Sequence, residues 1–270
     1  MTVEADRPDP TESMLAFFGS EALRLRTKAG WSQEKTAKEA LSTQAMISYV
    51  EHAKRVPSKE LAAGLDAAFA TDGHFGRLHP LVMRYAYPKW FVRYVELEQE
   101  AKAIRSFQVH IVPGLLQTED YVRAMFEAVR PDNLDGLVAA RMSRQALLEG
   151  DIRCWFVIDE HAFLRFIGGR DVMRAQFARL LAAGQRPRTV IQVIPRTVPA
   201  HAAMAGPYTL LSFDEGTDVL HVDGFSQGRT TADTSEVTEA AYVYDLLRAV
   251  ALSPEDSAAL IRSHLKELGP

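Results

Sequence analysis

The sequence predicts a chain in two parts, an all-α N-terminal domain followed by an α+β domain with a small mixed sheet. Three observations predict it. Between Leu23 and Pro57, apolar positions recur at helical spacing in short runs broken by a turn. From Arg153 onward, strand-like runs at 153–159 and 189–194 flank a helical run at 172–183. Finally, 270 residues exceed what one small helical bundle needs and leave room for a second, larger core.

Composition bounds the rest. Hydrophobic residues make up 47% and charged residues 24% of the chain, the balance of a soluble globular protein. The first ten residues, M-T-V-E-A-D-R-P-D-P, contain no apolar run or cleavage pattern, and no segment approaches the roughly 20 apolar residues of a membrane span. A cytoplasmic protein with no membrane partner is expected. The single cysteine, Cys154, cannot form an internal disulfide, and in the run C-W-F-V-I it reads as a small buried thiol.

In the N-terminal part, Leu23, Trp31, Ala37, Ala40, Ile47 and Val50 share inward faces, while Gln33, Gln44, Ala45 and Tyr49 turn outward. Ser32 fits the N-cap of a helix opening at Gln33, and Ser42 or Thr43 that of the next helix. Two short helices around a turn, with polar side chains leading the second, suit double-stranded DNA. The second helix would enter the major groove and read base edges with its first exposed residues, Thr43, Gln44 and Met46. Gln44 can pair both edge atoms of an adenine, Thr43 offers a hydroxyl, and Met46 suits a thymine methyl. Gln33 would point its amide at a phosphate, and Lys54 and Arg55, just past the helix, are further phosphate contacts. Residues 20–60 hold eight Lys or Arg against five Asp or Glu, whereas the whole chain stands at −4. A weakly basic head on an acidic body neutralises few phosphates, so a homodimer is expected.

These residues resemble the helix-turn-helix of the Cro and phage-repressor family, on Arg26, Gln33, Ala37, Gln44, Ile47, Ser48 and Glu51 at the family's spacing. The resemblance implies that Arg26 pairs with Glu51 and stitches the first helix to the recognition helix. Two positions depart from the pattern. Leu41 stands where the family has a turn glycine, and Ala53 where it has another after the recognition helix.

The organisation expected is a flexible arm over 1–16, the DNA-binding head over 17–78, a connector helix over 79–104 and a sensing and dimerisation domain over 105–270. Trp90, Phe91, Tyr94, Leu97, Ala101 and Ile104 repeat at three or four residues, so the connector reads as an amphipathic helix preceded by a break at Pro88. Helices follow at 121–129 and 137–148, then a strand at 153–159, a helix at 172–183 and a buried strand at 189–194; that order favours a parallel pair. Residues 208–213 and 219–222 read as a hairpin around D-E-G-T-D, and two helices close the chain at 236–251 and 253–268, the second capped by Ser253 with Pro254 at its first position. Gly168-Gly169 reads as a helix C-cap turn.

The runs V-P-G-L-L-Q-T-E-D-Y-V-R-A (112–124), A-R-M-S-R-Q-A-L-L (140–148), V-I-D-E (157–160), V-M-R-A-Q (172–176) and A-L-S-P-E-D-S-A-A-L-I (251–261) are similar to the uncharacterised C-terminal domain of actinobacterial WhiJ-like regulators. The resemblance implies a transcription factor of the Cro-type (XRE) class whose body receives a signal from a small partner protein encoded nearby or from a small-molecule ligand. Asp159, Glu160 and His161 at a strand end, with Arg144, are the ligand or partner site the sequence offers; Arg141, Gln145, His201 and the pair His221 and Asp223 are further polar candidates. His221 and Asp223 share a strand face but lack a third metal ligand. With no phosphate loop, nucleophile elbow or zinc motif present, no catalytic residue, cofactor or metal is expected. The alternative is a helix-turn-helix fused to a hydrolase or nucleotide-processing domain.

Overall fold

The computed structural model describes residues 8–269. Positions 1–7 of the expected arm lie outside the described residues; 14–16, assigned to that arm, instead open the first helix. The chain divides into two compact units. Among the described residues, unit 1 holds 8–92 and 130–143, and unit 2 holds 93–129 and 144–269.

Unit 1 is all-helical. Helix α1 (Met14–Lys28) starts where the Ser13 hydroxyl accepts the Ala16 amide. Helices α2 (Gln33–Glu39) and α3 (Gln44–Glu51) are capped in the same way by Ser32, which takes the Lys35 amide, and by Thr43, which takes the Met46 amide. Helix α4 (Lys59–Phe69) follows Ser58, and α5 (His74–Ala86) carries Pro80 in its interior. Phe18, Ile47, Leu65, Phe75 and Val82 fill the core, with the Phe18 and Phe75 rings 5.0 Å apart. Two glycines let backbones meet. A Cβ on Gly19 of α1 would lie 2.3 Å from the Val50 carbonyl oxygen, and one on Gly64 of α4 would lie 2.4 Å from that of Ala40.

Helix α6 (Lys89–Glu100) begins after Pro88. The connector expected to run on through Ile104 stops at Glu100, because Ala103–Gln108 forms strand β1. Ile104 is therefore a strand residue. After α7 (Glu119–Glu127), helix α8 (Leu134–Arg144) contributes most of its length to unit 1. There the Tyr85 hydroxyl donates to Asn133 at 2.6 Å, that of Tyr87 donates to the Ala140 carbonyl at 2.8 Å, and the Val56 amide donates to the Ser143 hydroxyl at 2.6 Å.

Unit 2 is built on a sheet. Strands β1, β2 (Arg153–Asp159), β3 (Thr189–Ile194), β4 (Tyr208–Ser212), β5 (Val219–Val222) and β6 (Arg229–Thr231) lie in the order β3-β2-β1-β4-β5-β6. The β3-β2-β1 side is parallel, and the β1-β4-β5-β6 side antiparallel. The short α9 (His161–Leu164) and α10 (Arg170–Ala183) join β2 to β3. Gly168 and Gly169, expected to close a helix, both have positive φ and lead into α10, with Gly169 at its N-cap.

One sheet face, with Phe107, Val157, Tyr208 and Leu210, packs under α11 (Thr234–Val250) through Val237, Tyr244 and Leu247. Helix α12 (Pro254–Glu267) is held to β3, since the Ser257 hydroxyl accepts the Val193 amide at 2.9 Å. Three glutamines order the loop before α7. Gln117 donates to the Val112 carbonyl, Gln145 to the Gln117 carbonyl and Gln176 to the Leu116 carbonyl, so buried loop carbonyls keep partners without a ladder.

Candidate nucleic-acid interface

The turn between α2 and α3 and the exit from α3 share one geometry. After α2, Leu41 has φ 53° and the amide of Ser42 reaches back to the Ala37 carbonyl at 2.8 Å; after α3, Ala53 has φ 54° and the amide of Lys54 reaches the Tyr49 carbonyl at 2.8 Å. Both are Schellman closures, normally made by glycine. Gly30 closes α1 in the same manner. The chain thus keeps left-handed turns at the two positions where its sequence departs from the phage-repressor pattern. Leu41, 94% exposed, makes no packing that would offset the strain.

Behind α3 lies a compact ion pair. Arg26 of α1 meets Glu51 with both Nε and Nη2, at 2.5 and 3.0 Å, and donates through Nη1 to the Trp31 carbonyl at 2.9 Å. Glu51 is buried, and Gln33 also donates to it, at 2.8 Å. The amide nitrogen assigned to a phosphate is therefore engaged within unit 1, though its second N–H remains to donate. The remaining α3 residues split as helical geometry requires. Ile47 and Val50 are buried, whereas Thr43, Gln44, Ala45 and Tyr49 are exposed and Met46 is half-buried. Lys54 is exposed; the Arg55 guanidinium sits 4.6 Å from the centre of the Tyr49 ring, which orients that charge beside the helix.

Of the polar residues singled out in the body, Arg141 falls in unit 1 and Gln145 holds loop carbonyls, while the others fall into two separate clusters. At the end of β2, Asp159 accepts the His161 amide at 2.8 Å and faces its Nδ1 at 2.6 Å, while its other oxygen lies 3.1 Å from Nε2 of the buried His201. Glu160 lies 3.0 Å from Nε2 of His264 and accepts the Arg196 amide at 2.7 Å. Arg144 is not among them. It is 9% exposed and pairs with Glu98 through Nε and Nη2 at 2.7 and 2.6 Å. The reason is physical: a buried guanidinium needs a carboxylate within reach, and α6 supplies Glu98.

Around this pair the Tyr94 hydroxyl donates to Glu98 at 2.9 Å, and its ring lies 4.1 Å from that of His221. Ser106, Thr209, His221 and Thr230 stand in register across β1, β4, β5 and β6, with Ser106 and Thr209 3.1 Å apart and His221 2.8 Å from Thr230. Burial, then the Glu98 carboxylate, holds the Tyr94 hydroxyl well above its usual range. Burial also pushes the Cys154 thiol up to about 12, so it is no nucleophile at neutral pH. Residues missed from sequence include Glu98, Tyr94, Arg196 and His264, whose partners lie 36 to 104 residues away or on an unrecognised face. Among the described residues, no group of three or more His, Cys, Asp or Glu could hold a metal ion, and no helix is long and apolar enough to cross a membrane.

Capped α2 and α3, locked from behind by the Arg26–Glu51 pair, define unit 1 as a helix-turn-helix module of the kind carried by DNA-binding regulators. Residues 23–73 match the family described as Helix-turn-helix, which supports a DNA-binding transcription regulator of the Cro-like class. Residues 91–263 match the family described as Domain of unknown function (DUF5753), and the chain belongs to that family. Comparison with curated proteins and with solved structures gave no match. Neither family description names an enzymatic activity.

Proposed function

We propose that the chain is a sequence-specific transcriptional regulator that reads double-stranded DNA with α3, works as a homodimer, and receives a signal through unit 2 from a small partner protein or a small-molecule ligand. The observation that carries this reading is α3 itself, whose N-terminal side chains Thr43, Gln44 and Ala45 are exposed while Ile47, Val50 and Glu51 anchor it. In this reading Gln44 contacts a base edge, Thr43, Ala45, Met46 and Tyr49 line the groove, and Gln33, Lys54 and Arg55 meet phosphates. Selection from random duplexes tests it: enrichment of one motif by the full chain is expected, and recovery of no motif overturns the reading.

Dimerisation is supported by the local excess of only three positive charges and by the two-fold sites such heads read. In unit 2 the connector stripe is spent on the chain's own core, since Tyr94, Ala101 and Ile104 are buried. Helix α11 instead exposes Tyr242, Leu246 and Val250, which recur every four residues along one face and suit a two-fold contact. Sedimentation at micromolar concentration decides it: a dimer that Leu246→Glu dissociates is expected, whereas a wild-type species of 30.0 kDa overturns it.

A further inference from the structure

Glu160 follows the last residue of β2, and its side chain is 5% exposed. One oxygen accepts the Arg196 amide and the other faces Nε2 of His264, so both ends of the carboxylate are used. A carboxylate accepts and does not donate. Nε2 must therefore carry the proton of that contact, and it is the tautomer with its single proton there that presents Nδ1 as an acceptor. Nδ1 lies 3.9 Å from Glu267, itself an acceptor, and among the described residues no donor is recorded for it.

The surroundings of that acceptor are aromatic. The His264 ring stacks on Phe177 with centroids 5.8 Å apart and meets Phe163 edge-on at 5.6 Å. With Phe166 and Leu260 these side chains line a cleft of about 290 Å³ beside the C-terminal ends of β2 and β3. Ligand cavities run from roughly 300 to 1,000 Å³, so this one suits a single substituted ring. Phe166 is 48% exposed at its edge. Glu160 and Glu267 disfavour an anion, and the buried Glu160, its two oxygens already taken by the Arg196 amide and by His264, offers a cation no free oxygen.

We propose that this cleft binds a small neutral aromatic alcohol of the phenol type, its ring against Phe163, Phe166 and Phe177 and its hydroxyl donating to Nδ1 of His264. The Glu160 carboxylate behind the imidazole fixes the tautomer that can accept. This inference rests on the reading that unit 2 receives a ligand.

Calorimetric titration of the full chain with 4-ethylphenol, and with 4-ethylanisole as the same shape lacking a donor, tests it. Saturable binding of 4-ethylphenol is expected, with 4-ethylanisole weaker by about ten-fold, the consequence of one unmade buried hydrogen bond. His264→Phe keeps the ring stack and should bring the two compounds level; Leu260→Trp, which fills the cleft and leaves the polar pair in place, should abolish both. Absence of saturation by wild type, equal binding of the two compounds, or undiminished binding by Leu260→Trp overturns the proposal. Duplex binding measured on the same preparation separates the two readings: a chain that enriches an operator yet ignores 4-ethylphenol overturns only the cleft, and one that binds 4-ethylphenol but no duplex motif overturns only the regulator.

Discussion

The Val56 amide donates to the Ser143 hydroxyl at 2.6 Å, and that hydroxyl donates in turn to the Ala139 carbonyl at 2.6 Å. A serine from α8 thus holds the backbone that leaves α3, immediately after Lys54 and Arg55. The next residue along α8, Arg144, is the one buried against Glu98 in unit 2.

Replacing Ser143 with alanine should leave the buried Val56 amide without a partner. We expect a loss of about 1 to 3 kcal/mol in thermal or urea unfolding of the full chain. Ser143→Thr, which keeps the hydroxyl, should recover most of it. Equal stability of wild type and Ser143→Ala would show that water replaces the serine.

Leu41→Gly and Ala53→Gly should each be neutral or stabilising. A left-handed non-glycine residue costs roughly 1 to 2 kcal/mol, more than glycine's added chain entropy of about 0.5 to 1 kcal/mol. Melting of the full-length variants checks the sign. Since Leu41 is 94% exposed, little packing is lost with its side chain, and a marked fall in Tm would refute the assignment of strain.

Gly19→Ala should act in the opposite direction, because its methyl would lie 2.3 Å from the Val50 carbonyl oxygen. The α1–α3 crossing must widen, at a cost of about 1 to 3 kcal/mol. Because α3 shifts with it, operator affinity should fall more than affinity for scrambled duplex, which paired titrations read directly.

Reading and anchoring separate in the last pair of variants. Gln44→Ala should lose about 1 to 3 kcal/mol on the best site and relax one position per half-site, with non-specific binding almost unchanged. Lys54→Ala should weaken binding to all sequences alike and lower the salt slope by about one unit per subunit, because one fewer counterion is released. Titrations at several salt concentrations distinguish them; wild-type binding by Gln44→Ala to every duplex would remove α3 from the groove.

Local chemistry was legible in the sequence. Ser32, Thr43 and Ser253 cap helices because an N-cap needs only a hydroxyl and the next three residues. The parallel β2–β3 pair and the β4–β5 hairpin were equally readable. Strand β1 was not, although it lies between β2 and β4 in the sheet. Ala101 and Ile104 continue the three- or four-residue spacing of α6, and a run of six with burial on both faces offers no clean alternation. The placement of Arg144 was out of reach for another reason. Asp159, Glu160 and His161 are adjacent in the chain, but Arg144 was grouped with them by chemistry alone, while His264 comes to Glu160 from 104 residues away.

The allocation of 130–143 to unit 1 bears on synthesis and on how the protein can be cut. A ribosome delivers α1 to α5, then all of β1 and α7, before it delivers the helix that satisfies Val56, Tyr85 and Tyr87. Unit 1 therefore lacks these three contacts until residues 93–129 of the other unit have already emerged. A fragment ended anywhere between the fifth and eighth helices would carry three polar groups built for absent partners, so the natural shears of this molecule do not coincide with the borders of its linear sequence.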